Sequence, residues 1–304
     1  MNPHKFEIAK LVDTQNPQQV LDEVKTIVSM VFTRFDFEPV NRVFNDILKL
    51  FGGEYRGYRA CSTEYHDLKH TTDATLATTR LIHGAVVNSE KNSQKGALLG
   101  IISSLLHDTG YIQKRGDDSG TGGKYTLVHI ERSIDFMHKY FRKNNFSKDD
   151  FEICRNILRC TGFKTKIDEI RFKSKETEIL GKILGTADLL GQMADRTYLE
   201  KLPFLYYEFK EAKMDMYSSE LDLFEKTLEF YDFTQKRFDT ELGGVNRFSI
   251  RHFEKRWNIA RDLYADAIEK NMNYLEHILK DRQKGHRSFL RRGRYPQLLE
   301  KSGL

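Results

Sequence analysis

The stretch ISSLLHDTGYIQ, residues 102–113, carries an apolar helical run that starts near Gly96 into a histidine set directly beside an aspartate. A core helix that ends this way admits two readings. Either His107 and Asp108 are a polar helix end satisfied by local partners, or they are half of a metal site. Working outward, EYHDLKHTTDATLATTRLIH places His66 and His70 four residues apart, a spacing that on one helix would point both imidazoles into the same cleft. Downstream, ILGTADLLGQMADR sets Asp188 inside another apolar helix, where a carboxylate is costly unless it is hydrogen-bonded or holds a cation. Three helices offering nitrogen and oxygen ligands can surround one divalent ion.

The rest of the chain is equally helical. Apolar residues recur at helical spacing in PQQVLDEVKTIVSMVFTRF, EPVNRVFNDILKLF, TTDATLATTRLIHGAVV, KGALLGIISSLLH, TLVHIERSIDFMHKYF, DDFEICRNILRC and KETEILGKILGTADLLGQMA, and no period-two strand stands between them. With 5 prolines in 304 residues, and Ser147 heading an acidic start signal, the expectation is an all-α fold. RGDDSGTGGK (Arg115 to Lys124) reads as a loop, Pro203 marks a shift to denser aromatic and charged sequence, and a long helical pattern begins near Phe248. The whole of residues 1–304 reads as one domain, with a core of about residues 60–200 and helical extensions at both ends.

Composition narrows the function. The 49 basic and 44 acidic residues leave a net charge of +5, too small and too evenly spread to imply a nucleic-acid partner. The basic run RQKGHRSFLRRGRYPQ is expected to be a solvated tail, with contact between Arg291, Arg292, Arg294 and an anionic partner as the sharper option. Three cysteines without a CxxC pair argue against a disulfide framework or a thiolate zinc site and suit a reducing cytoplasm. No signal-peptide layout heads the sequence, and GALLGIISSLL is too short to span a bilayer, so no membrane partner is expected. Oligomeric state is left open.

Taken together, Tyr65-His66-x-x-x-His70, His107-Asp108 and Ala187-Asp188 resemble the HD superfamily of metal-dependent phosphohydrolases, in particular its cyclic-nucleotide phosphodiesterase-like part. The resemblance spans roughly Glu64 to Tyr198 and implies a helical HD fold. It implies that His70, His107, Asp108 and Asp188 bind a first metal, that Asp108 bridges to a second, and that His66 is the acid that protonates the leaving oxygen. A histidine, with an ordinary pKa near ~6.5, suits that role. The mixed nitrogen and oxygen shell does not select among manganese, iron, zinc, magnesium and nickel. Where the phosphodiesterase pattern would continue with another acid and histidine, this chain reads Thr109-Gly110-Tyr111-Ile112-Gln113, and His129 is the candidate to replace the missing ligand of the second metal. The cyclic-dinucleotide branch is disfavoured, because its Gly-Tyr-Pro lacks the proline here.

Other residues are secondary. FTQKRF offers Gln235 and Phe238 at a spacing similar to the glutamine and aromatic clamp on the purine in mammalian phosphodiesterases. Asp73 could orient an imidazole or be an ordinary solvated acid. Lys114, Arg115 and Lys124 flank the glycine-rich loop and could meet phosphate, or be solvated. His83, His138, His252, His277 and His286 read as structural. The expected function is hydrolysis of a phosphoester, first a cyclic nucleotide. A nucleoside monophosphate is the rival substrate, and a weakly catalytic nucleotide sensor is the rival class.

Overall fold

The computed structural model describes residues 6–281 and 285–302. They form twelve α-helices joined by short 3₁₀ turns. There is no strand among them, only an isolated bridge between Tyr58 and Lys114. The helices are α1 (Pro17–Ser29), α2 (Glu38–Phe51), α3 (Leu68–Val87), α4 (Gln94–Leu106), α5 (His129–Lys143), α6 (Lys148–Arg159), α7 (Lys175–Met193), α8 (Tyr198–Glu211), α9 (Glu220–Asp239), α10 (Phe248–Trp257), α11 (Leu263–Lys280) and α12 (Tyr295–Ser302). No helix among the described residues is long and apolar enough to cross a membrane.

Local chemistry sets the boundaries. Asn16, Asp67, Ser93, Ser147, Ser174, Ser219 and Asp262 each accept a backbone N–H in the first turn of the helix they precede, which satisfies donors that the helix itself leaves unpaired. Helix α1 stops at Ser29, six residues before the periodic pattern runs out. The pattern from Phe248 splits into α10 and α11, because Asn258 takes a left-handed conformation (φ 56°) that ends α10. Pro203 marks no boundary, since it lies inside α8.

Helix α3 is the axis of the fold. It packs against α1, α4, α7 and α10, and every residue from His70 to Ala85 is buried. That burial is tolerable for so polar a sequence because most of its threonines bond to their own helix: Thr75 Oγ1 donates to the Thr71 carbonyl and Thr79 Oγ1 to that of Thr75. One contiguous apolar core joins residues from Val20 on α1 to Leu299 on α12.

The basic C-terminal run is anchored by its apolar residues, while its arginines stay partly exposed. Arg282 to Lys284 lie outside the described residues. Beyond them Leu290, Tyr295 and Leu299 are buried, Arg287 pairs with Glu220, and Arg292 donates to the Arg196 carbonyl. Arg294 reaches Glu64 at 3.0 Å and Asp67, the cap of α3, at 3.5 Å. Apolar anchors between the arginines hold the run down, and internal carboxylates take up part of its charge.

Candidate metal centre

Helices α3, α4 and α7 meet where the sequence placed its polar residues. His70 stands in the first turn of α3, His107 is the last cap of α4 with Asp108 next to it, and Asp188 lies on the inner face of α7. His70 Nε2 is 3.1 Å from Asp108 Oδ2, 3.1 Å from Asp188 Oδ1 and 3.3 Å from His107 Nε2. His107 Nε2 lies 3.4 Å from Asp108 Oδ2 and 3.6 Å from Asp188 Oδ1. All four residues are buried.

His70, His107 and Asp108 could together hold a metal ion. A cation bound at ~2.0–2.2 Å separates neighbouring ligand atoms by ~3.0 Å in an octahedral shell and ~3.4 Å in a tetrahedral one, which brackets most of the spacings seen here. Hydrogen bonding points the same way. His107 Nδ1 bonds the Ser104 carbonyl at 2.7 Å, so it carries the proton and leaves a lone pair on Nε2. Asp108 Oδ2 is buried and receives no hydrogen bond from the described residues. Lone pairs and carboxylates facing one another this closely need a positive charge between them. Without a cation that charge is a proton: burial pulls the His70 imidazole down, but the Asp108 and Asp188 carboxylates outweigh it and lift it to about 10. Burial likewise pushes both carboxyls up, and the neighbouring imidazoles overcome it, holding them well below the usual range.

The other oxygen of Asp108 faces a second group. His129, the first residue of α5, has Nε2 3.9 Å from Asp108 Oδ1, and its Nδ1 bonds the Thr126 carbonyl at 2.7 Å. Burial holds its imidazole below the ordinary value, in the neutral form that offers a lone pair. Its approach depends on Gly110, where a Cβ would fall 1.9 Å from the His129 carbonyl oxygen. Ser133 ties the junction, receiving the Gly110 N–H at 2.8 Å and donating to the His107 carbonyl at 2.5 Å.

His66 is beside the cluster but not on α3. It precedes the Asp67 cap, and its ring is placed by Glu208 of α8, whose Oε2 is 2.6 Å from Nδ1. The Tyr111 ring stacks on it at 4.2 Å, and the His129 ring stands against Tyr111 at 4.7 Å and 6.3 Å from the His66 ring. Thus His66 reaches the same cleft as His70 through a tertiary contact instead of a shared helix face.

Three residues of this site escaped the sequence reading. Gln192 donates to Asp188 Oδ1 at 2.8 Å and accepts from Tyr65 Oη at 3.0 Å; its place four residues after Asp188 was the available signal. Glu208 lies 142 residues from His66 and carried no signal. Tyr111, inside the opening stretch, was read as a motif letter and not as a stacking surface.

Other candidates lie elsewhere. Phe238 is packed in the core and Gln235 is half-buried, and neither lines the cavity in front of the cluster, so a purine clamp there has no wall to act on. Lys124 is tied to Asp117, and Lys114 and Arg115 are exposed; none of the three lines that cavity. Asp73 is neither solvated nor against an imidazole, since it pairs with Lys69 of its own helix, and burial pushes it up to about 6. His83 and His252 face each other, Nδ1 to Nδ1, at 3.3 Å.

A cavity of about 1120 Å³ opens onto Asp108, Asp188, His66 and His129. Its far walls come from α8, α9 and the connections around Phe163 and Met216.

Residues 42–242, more than half of the chain, match the family model described as Npun_R2479-like. No curated protein matches the chain.

Proposed function

The chain belongs to the Npun_R2479-like family, and from its His/Asp cluster we propose that it is a metal-dependent phosphoester hydrolase of the HD type. What supports this reading is the convergence of His70 Nε2, His107 Nε2, Asp108 Oδ2 and Asp188 Oδ1 within 3.1–3.6 Å of one or both imidazoles, at the floor of a ligand-sized cavity. Those four residues would hold the first cation, and Asp108 Oδ1 with His129 would contribute to a second. A bound divalent ion supplies charge that offsets the phosphate and makes a water acidic enough to attack near neutral pH.

The remaining work falls to the chain. His66 Nδ1, bonded to Glu208, carries a proton in its preferred tautomer, which leaves the lone pair on Nε2, 3.4 Å from the Tyr111 hydroxyl. Nε2 is the position from which the ring would deliver a proton to a departing alkoxide. Tyr111 keeps the ring from rotating. Gln192 keeps the carboxylate of Asp188 turned to the imidazoles. A nucleotide, cyclic first and monophosphate second, is the ester that the HD resemblance implies.

The test is product analysis of the manganese-loaded protein against nucleotide and simple phosphoesters. His107→Ala should lose manganese and turnover together. His66→Gln should keep manganese and lose ~10²–10⁴ in kcat for alkyl esters, and far less for a nitrophenyl ester, whose leaving group needs no proton. Turnover that survives loss of the metal would overturn the assignment.

A further inference from the structure

Resting on the phosphoesterase reading, we propose that the organic part of the substrate is an extended hydrocarbon chain, so that the protein acts on the phosphate ester of a long apolar alcohol. The cavity that ends at Asp108 and Asp188 is larger than the ~300–1,000 Å³ usual for a small-molecule site. Away from the metal ligands its wall is apolar. Leu202, Leu205 and Phe209 of α8 form one side, and Leu223, Phe230 and Phe233, at helical spacing on α9, form another.

The mouth continues that character into solvent. Among the described residues nine large apolar side chains are more than a third exposed, and five of them, Leu127, Val128, Phe163, Met216 and Phe233, line this one cavity at 47–58% exposure. Exposed apolar surface concentrated around a single opening marks a binding site, where scattered residues would not.

Several polar side chains in the apolar part are already engaged within the protein. Asn156 donates to the Arg171 carbonyl, the Thr161 hydroxyl donates to the Leu158 carbonyl at the end of α6, and that of Thr227 donates to the Leu223 carbonyl of its own helix. Both ends of the Gln192 amide are engaged, by Asp188 and Tyr65. A purine edge placed here would lose its hydrogen bonds to water and regain few, a penalty that a methylene chain does not meet. Cations stand on the rim, with Lys164 and Arg171 unpaired among the described residues, which suits an anionic amphiphile on approach.

In the reaction the bond between phosphorus and the ester oxygen breaks. The oxygen of water takes its place, the long-chain alcohol leaves with the proton from His66, and the proton released by the water restores the acid.

The experiment measures binding without turnover. A series of n-alkylphosphonates from butyl to decyl, below their micelle concentrations, is titrated calorimetrically into the manganese-loaded protein, with adenosine monophosphate as comparison. The dissociation constant should fall about fourfold per methylene until the cavity is filled. Phe233→Asp and Met216→Asp, both at exposed positions, should flatten that slope while leaving the affinity for inorganic phosphate unchanged. An affinity independent of chain length, or tighter binding of the nucleotide than of octylphosphonate, would overturn the proposal. Hydrolysis assays on the matching alkyl phosphates separate the two readings. Chain-dependent binding with no hydrolysis removes the hydrolase and keeps the ligand class, whereas hydrolysis with a flat binding series does the reverse.

Discussion

Replacing Gly110 by alanine tests how the two halves of the centre are joined. The new Cβ would stand 1.9 Å from the His129 carbonyl oxygen and 2.7 Å from its carbon, and contacts under 3.0 Å do not persist. The N-terminus of α5 must therefore retreat by at least about 1 Å, since the atoms it meets are backbone and cannot rotate aside. That movement strains the bonds that dock α5: Gly110 N–H to Ser133, and Arg132 to the carbonyls of Gly110 (2.7 Å) and Ile112 (3.1 Å). Overpacking costs ~1–3 kcal/mol and a lost buried hydrogen bond ~1 kcal/mol, together roughly 2–4 kcal/mol. In a chain of this size that lowers the melting temperature by about 4–8 °C. His129, already 3.9 Å from Asp108, is carried further away, while the imidazoles of His70 and His107 and the carboxylate of Asp188 meet no atom of the new methyl. Thermal unfolding and a manganese titration on the same sample read both effects. The variant should melt earlier and weaken only the looser manganese site. A melting temperature within a degree of the wild type would refute the claim that this glycine sets the helix approach.

Further expectations follow from the same geometry. Gln192→Ala removes the amide that fixes Asp188 and should lower manganese affinity about 10–100-fold with little change in stability, as measured by calorimetric titration; an unchanged affinity would place Gln192 outside the site's support. His83 and His252 are held neutral by burial, which pulls His83 down to about 4 and His252 further. Above pH ~6.5 both folded and unfolded chains leave them uncharged. Between ~6.5 and about 4 the unfolded chain alone takes up the proton on His83, so stability falls by ~1.4 kcal/mol per pH unit for that residue. Urea midpoints from pH 7.5 to 5 should show a shallower fall for His83→Gln than for the wild type, and parallel curves would count against the buried pair as a source of acid lability.

The amino-acid sequence by itself determined the helices and singled out the candidate metal ligands. Apolar residues recurring at 3.6 positions, and a serine or aspartate able to accept a first-turn N–H, act within one or two turns, so the limits of α2, α6 and α7 were legible to within a residue or so. His70, His107, Asp108 and Asp188, each weak alone, were visible as a set of polar residues recurring against apolar helical runs in an order that resembles the HD pattern. Tertiary structure decided the rest. It set His66 by Glu208 and Tyr111 instead of by helix register, moved Gln235 and Phe238 away from the cavity, and anchored the basic C-terminal run through Arg294 and Tyr295 at Asp67. Such contacts join elements far apart in the chain. Their partners are chosen by how helix faces pack, and no local spacing records that choice.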